Sequence, residues 1–274
     1  RGGIGVNRME GAAEVNRAWH STCQLRYKNH LVLPGLATAT PAPTHNLSDA
    51  TIGAINTLSD EVYAFWNGSD SDSPKLFKYA NASNTWGSAL TQSATDQVTD
   101  SVVFTDAGGT TYLVFAHYDT NGSGYTYSSN GSTWVTDAGD NGDNVARAAK
   151  FLTVWDERLW GITHAGQLWY ATVIGTEVND AVLPLPDGSV TALFVARNAM
   201  GIPIIYAATT QGLFAHNADN AMWEKTQMDF PVHPDNGKGT VTWRDSVYIP
   251  SGNGIYKYIN GNNAAAITVT GPDR

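Results

Sequence analysis

The chain has 274 residues, a formal net charge of −9, 15% charged and 11% aromatic residues, and one cysteine, Cys23. An acidic balance with no run of Lys and Arg argues against a nucleic-acid groove and fits an anionic membrane poorly, while a single cysteine rules out an internal disulfide. No apolar run approaches the length of a membrane-spanning helix, and short apolar runs punctuated by Gly, Ser, Thr, Asn and Asp describe an all-β chain of many strands and tight turns.

The chain opens with Arg1-Gly2-Gly3, and the expectation is a fragment or a processed product. Residues 1–20, Gly-rich and then weakly helical from Met9 to Trp19, read as a lead-in segment, and residues 21–274 as one domain. Gln24 to Pro34 reads as a hairpin, two apolar pieces flanking Lys28-Asn29-His30. Proline lacks a ladder donor, so Pro41 to Asp49 is a loop. The next hairpin pairs Ile52 to Leu58 with Val62 to Trp66 across Ser59-Asp60-Glu61. The same order returns as Ser101 to Thr105 with Tyr112 to Ala116, Phe151 to Trp155 with Leu159 to Thr163, and Ala192 to Ala196 with Ile204 to Ala208. A last hairpin joins Val241-Thr242-Trp243 to Val247 to Pro250, and Ile255 to Ile259 and Ala264 to Thr270 close the chain.

After each hairpin but the first comes an aromatic anchor: Phe77, Tyr125, Trp169, Phe214 and Tyr256, spaced 48, 44, 45 and 42 residues apart, and the hairpin near Leu31 brings the units to six. Nine residues beyond three of them stands a tryptophan, Trp86, Trp134 or Trp223, across a polar turn. A strand-rich period near 45 is the pattern of propeller blades. The expected fold is therefore an all-β propeller of six four-stranded blades, five or seven being the alternatives. Only 31 residues separate Leu31 from Val62, so the first blade is either shortened or completed by strands from the other terminus. The recurrent tryptophans are expected first of all to pack.

Tyr127-Ser128-Ser129-Asn130-Gly131-Ser132-Thr133-Trp134 resembles the Asp-box turn of the sialidase-type (BNR repeat) propellers, with Asn130 at the acidic position and one spacer residue missing. Residues 80–86 and 217–223 are looser versions. The resemblance implies a propeller fold, with the box as a structural turn, and implies no active site. A sialidase-like glycosidase would need an arginine cluster, for which Arg26, Arg147, Arg158, Arg197 and Arg244 are available, a tyrosine nucleophile with a glutamate, and an acid/base aspartate. Retaining glycosidases in general need two close carboxylates, and the sequence does not place a pair such as Asp156 and Asp245.

Tyr27, Trp155 and Trp243 share one column of the repeat, just ahead of the hairpin turn, and are the expected ligand-binding residues on one face near a central channel. Inter-blade packing is the competing expectation. His117 and His164 share another column and offer two ligands to a metal, with ordinary loop histidines as the alternative. The acidic run from Asp137 to Asn144 offers oxygen ligands for calcium, or a solvated turn; no cofactor is otherwise expected. Asn46, Asn67, Asn81, Asn121 and Asn130 fit the glycosylation pattern and are read as turn residues. The function expected is non-catalytic recognition or scaffolding on a cell surface or virus particle, as part of a larger assembly, with a glycan or protein surface as partner. The competing function is a carbohydrate-active enzyme.

Overall fold

The computed structural model describes residues 51–68, 74–80, 85–87, 90–91, 97–118, 123–138, 149–180, 182–186, 189–198, 200–226, 228, 230–243, 246–251, 254–258 and 266–267. They form antiparallel sheets whose strands follow chain order, each strand hydrogen-bonded to the next. The first contains β1 (Thr51–Leu58), β2 (Glu61–Asn67), β3 (Lys75–Ala80) and β4 (Thr85–Trp86), with β5 (Leu90–Thr91) also pairing with β3. The second contains β6 (Val98–Thr105), β7 (Thr111–Tyr118), β8 (Ser123–Ser128) and β9 (Val135–Ala138). The third has β10 (Phe151–Trp155), β11 (Arg158–Ile162), β12 (Leu168–Ala171) and β13 (Val178–Asn179). The fourth has β14 (Val190–Arg197), β15 (Pro203–Thr209), β16 (Gly212–Asn217) and β17 (Met222–Lys225). The fifth has β18 (Val241–Trp243), β19 (Ser246–Ser251), β20 (Gly254–Tyr258) and β21 (Ala266–Ile267). The expected hairpins are thus present, while Gln24 to Pro34 and the lead-in lie outside the described residues.

The first strands of successive sheets lie side by side, β1 against β6, β6 against β10 and β10 against β14. Between the sheets lie separate apolar layers, and the second strands serve two at once. On β7, Leu113 and Phe115 join Tyr63 and Phe65 in the layer facing the first sheet, while Val114 and Ala116 join Leu159 and Trp169 in the layer facing the third. On β15, Ile205 and Ala207 pack toward the third sheet, Tyr206 and Ala208 toward the fifth. Strands buried on both faces need continuous apolar runs, which is why these segments read as such in the sequence. The anchors Phe77, Tyr125, Trp169 and Phe214 are buried; Tyr256 is half-buried.

Trp134 closes the layer between the first two sheets, its ring 5.6 Å from Tyr63 and 5.8 Å from Phe115. Its position is set by the turn before it. Asn130 Oδ1 accepts the N–H groups of Ser132 and Thr133, both at 2.8 Å, Ser128 Oγ accepts the Gly131 N–H at 2.9 Å, and the Trp134 indole N–H donates to the Gly131 carbonyl at 3.3 Å. The amide oxygen of Asn130 does here what a carboxylate oxygen would do, so an acid is not required.

Gly131 sits at φ 68° against the Tyr63 hydroxyl, and a Cβ there would overlap it. Gly131→Ala should cost about 2–4 kcal/mol, left-handed strain adding to the displacement of Tyr63, as read from urea denaturation. The hairpin turns at Ser59–Asp60 and Asp156–Glu157 are two-residue loops with both residues at positive φ, without the glycine that such turns favour. Replacing the exposed Glu157 by Gly should therefore raise stability, by about 0.5–1 kcal/mol in the same assay.

Candidate functional site

The inner strands start with a defect that the alternating pattern does not reveal. The β1–β2 register slips between Ile52 and Ala54, the β6–β7 register between Val98 and Asp100, and the β14–β15 register between Val190 and Ala192. Each slip is a one-residue bulge, at Gly53, Thr99 and Thr191. Lys150 holds the same place ahead of β10, its N–H bonding the Ile162 carbonyl at 2.8 Å while Phe151 pairs with Ile162. The expected strand starts at Ser101 and Ala192 fell short for this reason: β6 begins at Val98 and β14 at Val190.

A bulge re-aims a side chain out of the pleat. All four of these residues line one cavity of about 350 Å³, together with Ile52, Asn67, Val98, Phe151, Val190, Pro234 and Lys238. The cavity lies where the inner strands begin, at one end of the space that they border.

Side-chain to main-chain bonds fix the spacing of its walls. Asn67 Nδ2 donates to the Val98 carbonyl at 2.8 Å and its Oδ1 accepts the Val98 N–H at 2.9 Å. Gly53 has to be small because a Cβ would meet both Asn67 and the Val98 carbonyl. Thr99 Oγ1 donates to the Lys150 carbonyl at 2.5 Å, and Asp100 accepts the Ser101 N–H at 2.8 Å and the Leu152 N–H at 2.9 Å. Burial raises the Asp100 carboxyl to about 7 in spite of these two donors.

Two lysines, Lys150 and Lys238, line the cavity. Lys150 is half-buried, with Nζ over the rings of Tyr118 at 5.2 Å and Phe151 at 5.7 Å and 3.5 Å from His164 Nδ1. Burial, and then the charge of Lys238, hold its ammonium below the ordinary lysine range; burial and the charge of Lys150 push His164 down. Thr191 is almost fully buried and its Oγ1 has no hydrogen-bond partner.

Of the residues expected to bind ligand, Tyr27 lies outside the described residues, and so does the side chain of Trp243. Trp155 and Trp243 do hold one column, each the last residue before its hairpin turn, paired with Arg158 and Ser246 respectively. Trp155 is half-buried against the layer between the third and fourth sheets, its ring 5.7 Å from Trp160, at the end of β10 opposite the cavity. The two histidines differ in setting. His117 is buried within β7, not in a loop, whereas His164 is exposed and stacks on Tyr118 at 4.7 Å. Among the described residues no three His, Cys, Asp or Glu side chains converge as metal ligands. Of the acidic run from Asp137 to Asn144, only Asp137 and Ala138 fall among the described residues, at the end of β9. Arg158 stacks on Tyr170 at 4.6 Å and Arg197 donates to the Gly201 carbonyl at 2.7 Å, while Arg26, Arg147, Arg244 and Asp245 lie outside the described residues. Asn67, read as a turn residue, is instead the strand-end clasp just described.

No protein-family model and no curated protein matches this chain. Among solved structures it is similar to the WD40 β-propeller domain of Doa1, at 14% identity over 79% of this chain and 68% of that one, with a TM-score of 0.50. It is also similar to the extracellular domain of BT4673 from B. thetaiotaomicron, at 16% identity over 79% of this chain and 27% of that one, TM-score 0.50. The SapL1 lectin in complex with alpha methyl fucoside aligns at 12% identity over 78% of each chain, TM-score 0.48. The chain thus spans about a quarter of the BT4673 domain. At these identities the likeness shows a fold, and that fold is β-propeller-like.

Asp100 supplies a pH signature. Its native pKa of about 7 lies above the unfolded value of ~3.9, so the native state binds the extra proton and stability falls as pH rises from about 4 to about 7. The slope from this one group approaches ~1.4 kcal/mol per pH unit. Urea midpoints taken across that window should show the decline in the parent, and Asp100→Asn should gain on the parent steadily up to pH 7.

Proposed function

We propose that the chain is a non-catalytic recognition or scaffold propeller of six four-stranded blades, or else five or seven, spanning residues 21–274 behind the lead-in 1–20. The mouth of its central space is the primary binding site, and a glycan or a protein surface is the partner. The observation that carries this reading is the convergence on one cavity of three bulges, at Gly53, Thr99 and Thr191, and of Lys150 just ahead of β10. A repeated backbone feature has brought different side chains to one place, with apolar walls from Ile52, Phe151 and Val190 beside hydroxyl and ammonium donors. Mixed apolar and sparse polar lining of this kind suits small-molecule or side-chain capture. Trp155 and Trp243, with Tyr27, form a second contact surface in this proposal, at the opposite ends of the inner strands. Polar loops between the repeats suit display on a cell surface or virus particle, within a larger assembly.

One observation favours the rival, a sialidase-like glycosidase: Asp100, one residue from Thr99 on the cavity wall, holds its proton near neutral pH, as a general acid must. Both of its oxygens already accept main-chain N–H groups, which suits a clasp better than an acid. A glycan array and a panel of chromogenic glycosides separate the two readings. Binding without turnover is expected, and turnover abolished by Asp100→Asn would overturn the proposal.

A further inference from the structure

We infer that the cavity at the start of the inner strands is an oxyanion site, taking the phosphate, sulfate or carboxylate group of a small organic acid. This rests on reading the same cavity as the binding site. Lys150 is the centre of the argument. It is half-buried and lines the cavity, and its ammonium has ring faces and an imidazole for neighbours; among the described residues no carboxylate pairs with it. A second cation, Lys238, lines the same cavity although like charges at this range repel. Lys238 keeps Asp235 at 2.6 Å on its exposed side, so one of the two cations is partly neutralised and the other is not. Two lysines held around one cavity repel each other at a cost that an anion between them relieves.

The hydroxyls agree. Thr191 lines the cavity and its buried Oγ1 has no partner, so a turn about χ1 would give that O–H an acceptor in a bound oxyanion without breaking a bond. Thr99 spends its proton on the Lys150 carbonyl and so fixes the backbone from which the ammonium projects. Among the described residues no acid lines the cavity, and Asp100, next to Thr99, turns both oxygens to main-chain donors of β6 and β10. The net charge of −9 does not forbid the ligand, because at physiological salt charges beyond about 8 Å are screened and the local lysines dominate. A cavity of about 350 Å³ has room beyond the anionic group, and Ile52, Phe151, Val190 and Pro234 give that remainder an apolar wall.

The test is isothermal titration calorimetry of the whole chain with phenyl phosphate, inorganic phosphate and benzyl alcohol. Phenyl phosphate should bind best, inorganic phosphate more weakly and benzyl alcohol not measurably, with affinity falling as salt is raised. Lys150→Gln should weaken phenyl phosphate roughly tenfold or more and Thr191→Val about threefold, with Lys150→Arg retaining most of the binding and showing that the fold tolerates change there. Unchanged affinity in Lys150→Gln, or equal binding of benzyl alcohol, would overturn the anion assignment. Ile52→Trp, an exposed change that fills the mouth, separates the two levels. Neutral-ligand binding that Ile52→Trp abolishes and Lys150→Gln spares would leave the binding site standing without its anion, whereas ligand binding indifferent to Ile52→Trp would remove both.

Discussion

A four-stranded antiparallel sheet of this composition has apolar side chains on both faces, and neither face can be left to water. Each described sheet is therefore only as stable as its neighbours make it. On β7 and β15 successive residues belong to different apolar layers, so the layers are coupled through the strands that separate them. Burying an aromatic of the size of Tyr125 or Trp169 removes ~150–250 Å² from water, several kcal/mol by area, and each such residue sits at a boundary between two sheets. The stability of a single sheet is thus not a meaningful quantity for this chain; the interfaces are where it resides.

The apolar layers fix which faces meet but leave the sheets free to slide along them, and polar contacts remove that freedom. Asn67 ties β2 to β6, Thr99 and Asp100 tie β6 to the start of β10, and Asn56 Nδ2 reaches the Ser101 carbonyl at 3.3 Å. At the outer edge the turn around Gly131 presses on Tyr63 of the neighbouring sheet. The cavity lies among the inner set of these contacts, so the geometry of its wall is set by bonds that also hold the fold in register.

Much of this architecture was legible in the sequence because its causes are local. The β10 limits follow from the apolar run Phe151 to Trp155 and the charged turn after it, and the packing role of Trp134 follows from its repeat spacing. The cavity was not legible. A bulge adds one residue to one strand, and nothing in the residue types of Gly53, Thr99, Lys150 and Thr191 marks them as one structural position. Their spacing differs by the varying lengths of the loops between them. Lys150 carries no mark in the sequence beyond its place just ahead of an apolar run; the hydrogen bond of its N–H to the Ile162 carbonyl reveals its position. The aromatic column of Trp155 and Trp243 was sought by residue type, which is why it was found while the polar one was missed.

The bulges separate two tasks that most sheet positions must perform together. A bulged residue owes its place to the hydrogen bonds of the flanking main chain, and its side chain contributes little to the pairing on either side. At Thr191, and at Lys150 ahead of β10, the side chain can change its chemistry with a small penalty to the ladders, whereas Thr99 is tied to the Lys150 carbonyl and Gly53 is held by the close approach of Asn67. Related chains could then diverge in what they recognise by drifting at such positions, while the layers that carry the fold stay constant.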